Sequence, residues 1–448
     1  WMKVLGVFVG MLWGWLTVGF VWPSLLGLIM IGFSGLTTIP DALSNGFGNV
    51  NLVIYSILGF MFATYLDKCD LTGAIAAFFM TKKIIHGKPY VLVGIIFALA
   101  FTLGAMVAIF AGIFITWAIL YKVIDLCEYE HNTAKVTYLI AMVPFAAVLG
   151  MMFPPFHATA IMYTGLVAEA IGGSIGVAIS YVGWMGFMLI AAIIMMLVYI
   201  VVGKFIFHFD FSLMANTEHF AYLKTDKLTF EQKFGLADLV LVILILLSPE
   251  FLPEGSLVTI LKAMGVGGAF LIGLFIPIFF RTKDGTPLCN VKTCMDGIAW
   301  DVIWMLIATG PVSAAMSSAD SGIVATLVGT LTTAFHGLDW ITFTLATGLI
   351  LGLVTQFTHN VIIAIVLFGP FATVCANLGG DPIIWFIFNF YLNMAAFMTP
   401  AASVNSALIF GNTEWIDQKS SYLFGTIWFL INYVIVAALL FTIGGIFF

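Results

Sequence analysis

Four long stretches of this chain carry no charged side chain: Val4 to Pro40, Pro89 to Tyr121, Trp340 to Gly380 and Pro382 to Thr413. A helix that crosses a bilayer needs roughly 20 consecutive apolar residues. Each stretch can therefore cross or re-enter a membrane at least once. Over the whole chain 62% of residues are apolar and 8% are charged, against about 25% charged in a soluble domain. No aqueous core absorbs that excess, so many apolar side chains must face lipid. The expected class is an all-α polytopic integral membrane protein. The stretch Val4–Pro40 is too long for the apolar core of a cleavable signal.

Spans read at roughly 4–20, 22–38 and 51–66, with a weaker stretch at 70–81. Others follow near 136–166, 174–206, 236–250, 256–280, 301–317, 382–412 and 421–447, with a weak stretch at 321–335. The longest polar segment is 207–234. Basic residues cluster at Lys82, Lys83 and Lys88, at Lys204, Lys224, Lys227 and Lys233, and at Arg281, Lys283 and Lys292. Cytoplasmic loops carry such excess, which puts these clusters, with Lys122 and Lys135, on the inner side. The segment 89–124 then enters and leaves on one face, as a re-entrant helical hairpin does. The segment 340–373 is its counterpart, entering from outside.

The two halves carry matching features in the same order. Val53-Ile54-Tyr55, Asp70-Leu-Thr-Gly73, a hairpin and a span broken at Pro154-Pro155 are followed by Val302-Ile303-Trp304, Asp320-Ser-Gly322, a hairpin and a break at Thr399-Pro400. The offset is roughly 250 residues and the faces are opposite, which is the signature of an inverted repeat and of alternating-access transport. The expected organisation is a first repeat 1–206 with hairpin 89–124, a cytoplasmic connection 207–235, and a second repeat 236–448 with hairpin 340–373. That gives about ten spanning helices and two hairpins.

Transporters bind near broken helices, whose free backbone groups need partners. The candidate elements are the tip Thr102-Leu-Gly-Ala-Met-Val-Ala108, the break Gly150-Met-Met-Phe-Pro-Pro-Phe-His-Ala-Thr159, the tip Thr355-Gln-Phe-Thr-His-Asn360 and the break Met398-Thr-Pro-Ala-Ala-Ser-Val-Asn-Ser406. The second pair is rich in small polar side chains. Hydroxyl, amide and carbonyl oxygens suit a hard cation such as sodium, and helix N-termini suit an anion. Helix–helix glue is the competing use of such residues.

In the second half, Ala395-Ala-Phe-Met-Thr-Pro-Ala-Ala-Ser-Val-Asn-Ser-Ala-Leu-Ile-Phe-Gly411 and Thr358-His-Asn-Val361 resemble the second break and second tip of the divalent anion/sodium symporter family. Leu228-Thr-Phe-Glu-Gln-Lys233 resembles that family's lead into the second half, and Thr229 to Gln232 also reads as a capping box. The resemblance implies an elevator-type carrier with a scaffold, a mobile domain and a homodimeric assembly. It implies sodium held by Thr355, Asn360 and the carbonyls of Thr358 and Ala402, and a small anionic substrate, dicarboxylate-like, facing Ser403. The substrate candidates are Thr102, His157, Ala158, Thr159, His359, Asn360, Ser403 and Asn405. Three departures stand out. Met106-Val107-Ala108 replaces the first Ser-Asn-Thr signature, which strips a second sodium site of side-chain ligands. His157 stands where the family has a glycine, and His359 where it has a serine. A protonated histidine would supply the missing positive charge, since histidine titrates near neutral pH. A neutral histidine bonded to backbone is the plainer alternative.

Other functions fit less well. Net charge −6 without a basic arm argues against nucleic acid. A proton or cation antiporter needs a membrane-embedded carboxylate, and neither tip nor break has one; Asp301 and Asp320 read as the ends of a span. A membrane subunit of a binding-protein-dependent carrier would need a soluble partner. Gly32-Phe-Ser-Gly35 matches an intramembrane serine protease pattern, but such a serine needs a histidine within reach. No zinc-protease or nucleotide-loop motif appears, so no enzyme is expected. Cys69, Cys127, Cys289, Cys294 and Cys375 lack metal spacing and read as free thiols. Trp1, Trp13, Trp15 and Trp22 read as lipid-facing or interfacial rather than ligand-binding. Short hydrophilic loops suggest a prokaryotic inner membrane.

Overall fold

Lipid exposure is written along α9, Tyr181–Val201, where Leu189, Ile193, Leu197 and Val201 recur at four-residue steps and all stand exposed. Its opposite face, with Trp184, Phe187, Met188, Ala191 and Met195, is buried. That division is the mark of a helix packed on one side and solvated by lipid on the other. The computed structural model describes all residues except 1, 72–74, 76–86, 107–108, 172–178, 216–227, 283–284, 299, 318–320 and 358–359. The expectations on Lys82, Lys83, Asp320, Thr358 and His359 fall outside the described residues.

Among the described residues the chain is helical, with one isolated bridge between Arg281 and Pro287. The elements before the first break are α1 (Met2–Thr17), α2 (Val21–Gly32), α3 (Ile39–Gly48), α4 (Tyr55–Lys68), α5 (Pro89–Met106), α6 (Ile109–Leu126) and α7 (Ala134–Met152). After it come α8 (Ala158–Ile171) and α9. The second part holds α10 (Phe230–Phe251), α11 (Ser256–Phe275), α12 (Val291–Met295), α13 (Trp300–Ser317), α14 (Ile323–Ala334) and α15 (Trp340–Val354). It ends with α16 (360–377, with a π-helical turn at Ala364–Phe368), α17 (Pro382–Met394), α18 (Val404–Gly411) and α19 (Gln418–Phe447). Among the described residues, five helices are long and apolar enough to cross a membrane by themselves: Pro89–Met106, Ala134–Met152, Tyr181–Ile206, Ser256–Phe279 and Gln418–Phe447. Further apolar helices, among them Val21–Gly32, Trp340–Val354 and Pro382–Met394, are shorter, and two expected spans are each split into a pair, α7 with α8 and α17 with α18.

The capping box at the start of α10 is formed on both sides: Gln232 N–H donates to Thr229 Oγ1 at 3.2 Å and Thr229 N–H to Gln232 Oε1 at 3.0 Å. The arms of the first hairpin, α5 and α6, have 18 residues each, longer than the run suggested, and reach about 27 Å. The α5 arm lies along α7 backbone to backbone. A Cβ added at Gly150 would come within 1.9 Å of Phe101 O, and one at Gly104 within 2.2 Å of Ala147 O. Small residues at both positions are what permit this approach. Pro144 inside α7 lacks the N–H that would serve the Ile140 carbonyl. Trp117 of α6 supplies it instead, its Nε1–H donating to Ile140 O at 2.9 Å. Trp184 Nε1–H does the same for Met152 O, at 3.0 Å, where α7 ends.

Two expectations need correction. The stretch 33–50 holds an unforeseen helix, α3, started by Thr38, whose Oγ1 accepts from Asp41 N–H at 3.2 Å, with Pro40 in its first turn. Its Gly46 rests on the Ile307 carbonyl of α13. Trp15 does not face lipid: it is buried, and its Nε1–H donates to Ser24 Oγ at 3.0 Å. Trp13 and Trp22 are exposed as expected.

Candidate functional site

The first break follows from consecutive prolines. Pro154 and Pro155 offer no N–H, so the helix stops after Met152 and the chain turns, with His157 N–H donating to Pro154 O at 3.0 Å. His157 then restarts it. Its carbonyl accepts from Ile161 N–H at 3.0 Å and its Nδ1 accepts from Thr159 N–H at 3.2 Å. That is the N-cap arrangement, filled by an imidazole. A ring nitrogen that accepts carries no proton, so this bond fixes the ring as neutral at Nδ1 and leaves Nε2 as its free end. The expectation of a protonated His157 conflicts with this geometry.

The second break is built the same way. Ser403 begins α18: its carbonyl accepts from Ala407 N–H at 2.9 Å and its Oγ from Ser406 N–H at 3.1 Å. Ser403 Oγ also donates to Ala396 O at 2.8 Å, and Ser406 Oγ to Thr399 O at 2.7 Å. The open loop between them is held by Gln356, which is fully buried. Its Nε2 donates to Gly352 O at 2.8 Å and Ala395 O at 3.3 Å, and its Oε1 accepts from Phe397 and Met398 N–H, both at 3.0 Å. One side chain thus serves the ends of α15 and α17 together. Thr399 Oγ1 donates to the Gln356 carbonyl.

The second tip joins this break directly. Asn360 N–H donates to Ala402 O at 3.2 Å. Asn393, buried on α17, donates through Nδ2 to Asn360 O at 3.1 Å and to Thr355 Oγ1 at 3.4 Å. Its Oδ1 accepts from Tyr163 of α8 at 2.6 Å. The oxygens of Thr355 and Asn360 therefore converge on one amide, and the Ala402 carbonyl joins them through the Asn360 N–H. They are neutral, hard donors of the kind sodium takes. The structure brings these three together and leaves Thr358 outside the described residues.

A cavity of about 680 Å³ joins the two breaks. His157, Ala158, Thr159, Asn360, Ser403 and Asn405 line it together with Ala105 and Met106 of the first tip. Asn405 Oδ1 is buried without a hydrogen-bond partner, an exception that asks for one. Across the cavity stands α4, with Ser56 and Thr64, and the cavity reaches exposed residues at Asp67 and Asp296. Thr102 is elsewhere: it does not line the cavity, and its Oγ1 donates to Ala98 O at 2.7 Å within its own helix. Thr355 and Ala402 are fully buried behind the wall. Ser34, of the protease-like motif, is half-buried, and its Oγ accepts from Leu36 N–H at 3.1 Å. Gln356, Asn393 and Tyr163 were not foreseen as site residues. The signal for them was a buried amide or phenol in an apolar run, which needs partners.

No protein-family model matches the chain, and no curated protein matches it. Among solved structures it resembles the YdaH transporter of Alcanivorax borkumensis, described as having an unusual topology, with a TM-score of 0.63 and 11% identity over 91% of this chain and 88% of that one. At that identity the likeness concerns the fold alone. It does not extend to the divalent anion/sodium symporter family that the motifs resemble; the chain is an all-α polytopic membrane protein with the fold of a membrane transporter.

Proposed function

We propose that the chain is a secondary active transporter, a sodium-coupled symporter of a small anion, working by movement of the broken helices and hairpins against a scaffold. The observation that carries this reading is the shared cavity that residues of both breaks and of the second tip line. Polar groups in a membrane-embedded cavity are costly unless a ligand uses them, and Asn405 Oδ1 has no partner of its own. The N-termini of α8 and α18, each capped by a side chain on the cavity wall, present partial positive charge suited to an anion. The motif resemblance and the fold of a transporter point the same way.

Sodium would be held by Thr355, Asn360 and the Ala402 carbonyl, with Thr358 as its fourth expected ligand. Half a turn of the Asn393 amide would aim its oxygen at the ion and its NH2 at the Tyr163 hydroxyl, which can accept as well as donate. The ion would supply positive charge beside the anion. A first-half sodium site is not part of the proposal, since Thr102 is engaged in its own helix. The cavity reaches the surface beside Lys68 and Thr293, next to Lys292. The basic clusters put that end in the cytoplasm, so the conformation reads as inward-facing. A homodimer in a prokaryotic inner membrane fits the resemblance.

The test is thermal stability of the purified chain in a panel of small mono- and dicarboxylates and inorganic anions, in sodium and in potassium. A ligand of the native state raises its melting temperature. Anion stabilisation that requires sodium supports the reading. Stabilisation indifferent to sodium rejects the coupling, and no response to any anion rejects the substrate class.

A further inference from the structure

A carboxylate missed in the sequence lies behind the cavity wall. Asp238 is on α10, about 13 Å along the helix from its capping box, and is 4% exposed. Both of its carboxyl oxygens are buried without a hydrogen-bond partner, and so is the Tyr65 hydroxyl of α4. Tyr65 and Cys69 share one face of α4 at a four-residue step. At Gly235, one turn before Asp238, α10 comes so close to α4 that an added Cβ would lie 3.0 Å from Cys69 Cβ. Cys289 and Cys294, with sulfurs 3.6 Å apart, complete the cluster from the segment around α12.

The surrounding groups are acidic or neutral. The Tyr65 phenol faces the Asp238 carboxyl, without a hydrogen bond of normal geometry between them. Cys69 and Cys289 lie near that phenol, and Glu231 and Cys294 lie near Cys69. Among the described residues, Asp238 makes no salt bridge to a basic side chain. An ionised carboxylate buried without a cation or a hydrogen bond is among the most costly arrangements a protein can hold. The group relieves that cost by taking a proton. The described residues contain no cluster able to hold a metal ion in its place.

Position gives the proton a use. Phe62 and Leu66 of α4 and Leu239 and Val242 of α10 line the cavity, so Asp238 sits one layer behind its wall. We propose that Asp238 is a proton-binding site of the transport cycle. It is neutral while α4 and α10 are closed against each other, as here. When they part, its carboxyl O–H gives the proton to cavity water and leaves a carboxylate, and closure reverses the step. The inference rests on the transport reading, and adds to the cycle a proton held by a carboxylate, a group that the tips and breaks lack.

Infrared difference spectra of the purified full-length chain, between neutral and strongly alkaline solution, test the site without any substrate. The wild type should show the carbonyl band of a protonated carboxylic acid at neutral pH, and Asp238→Asn should lack it. Asp238→Glu should restore the band at a displaced frequency, which guards against a folding defect in the Asn variant, and Tyr65→Phe should move the pH at which it is lost. Identical wild-type and Asp238→Asn spectra, with Asp238→Glu adding nothing, overturn the proposal. In liposomes, Asp238→Asn should abolish the pH-gradient dependence of anion uptake while sodium-dependent anion stabilisation persists; uptake equally pH-driven in both proteins also overturns it. Absence of anion stabilisation in the wild type would count against the transport reading alone, because the infrared band does not depend on it.

Discussion

The Tyr163 hydroxyl donates to Asn393 Oδ1 at 2.6 Å, across 230 residues of sequence. This bond ties the helix that restarts after the first break to the helix that leads into the second. The same amide reaches the second tip through Asn360 O and Thr355 Oγ1, so one buried side chain links both halves of the candidate site. Tyr163→Phe should strand the amide oxygen at a cost of about 1–3 kcal/mol, seen as a lower melting temperature. Asn393→Leu should cost more, since it strands the Tyr163 hydroxyl and the Asn360 carbonyl together, and should remove the response to sodium. A Leu variant that keeps full sodium stabilisation would separate Asn393 from the ion.

Gln356 should be the most sensitive position in the second break. It supplies two donors to carbonyls at helix ends and one oxygen to two N–H groups. Gln356→Glu keeps the shape and the accepting oxygen but cannot donate. It should lose stability by about 2–4 kcal/mol, from unserved carbonyls and a buried charge together. Thermal melts of the two proteins in the same detergent measure this.

His157 invites a test that separates its two uses. As an N-cap it is replaceable by Asn, one of the strongest capping residues. His157→Asn should therefore keep the stability within about 1 kcal/mol of wild type. It should also lose much of the stabilisation by anions, because the free Nε2 end of the ring lies on the cavity wall. Equal anion response in both proteins would leave His157 as a cap and nothing more.

The large-scale plan was legible because it is written in local pattern. Charge-free runs marked the helices, Pro154-Pro155 and Thr399-Pro400 marked the breaks, and Thr229 with Gln232 marked a helix start that the structure forms as drawn. What escaped was either short or long-range. The helix α3 interrupts a polar-looking stretch, although Thr38, Pro40 and Asp41 spelled its start. Gln356, Asn393 and Asp238 were hidden for another reason. A lone polar residue in an apolar run shows that a partner is needed, but the partner lies on another helix. Thr102 failed in the opposite sense: a threonine in a helix can satisfy itself on the carbonyl four residues back.

Pro144 and Trp117 offer a test of how the membrane helices tolerate a proline. The indole donates to the carbonyl that Pro144 leaves unserved. Trp117→Phe keeps the ring packing and removes the donor, so it should cost about 1–3 kcal/mol for the stranded carbonyl. Pairing it with Pro144→Ala, which restores the backbone N–H, should recover most of that loss. Melting temperatures of the two single variants and the double variant complete the cycle, and strictly additive changes would show that the two residues are not coupled.

Acid sensitivity should come in part from Asp417, the cap of α19. Its Oδ2 accepts from Ser420 Oγ at 2.5 Å and from Ser420 N–H at 2.9 Å. The serine hydroxyl and the helix-start N–H groups, with Lys419 nearby, hold this carboxyl below its usual 3.8. A carboxyl lowered in the folded state contributes its full stability above the unfolded pKa of about 3.9 and loses it as pH falls through the folded value. Melting temperature should therefore decline on the acid side below about pH 4. Asp417→Asn still caps the helix but has no proton to take up, so its acid limb should be flatter than that of wild type. The comparison is best made at low ionic strength, because the group is largely open to solvent and salt screens it. Superimposable acid limbs would assign the sensitivity to other carboxylates.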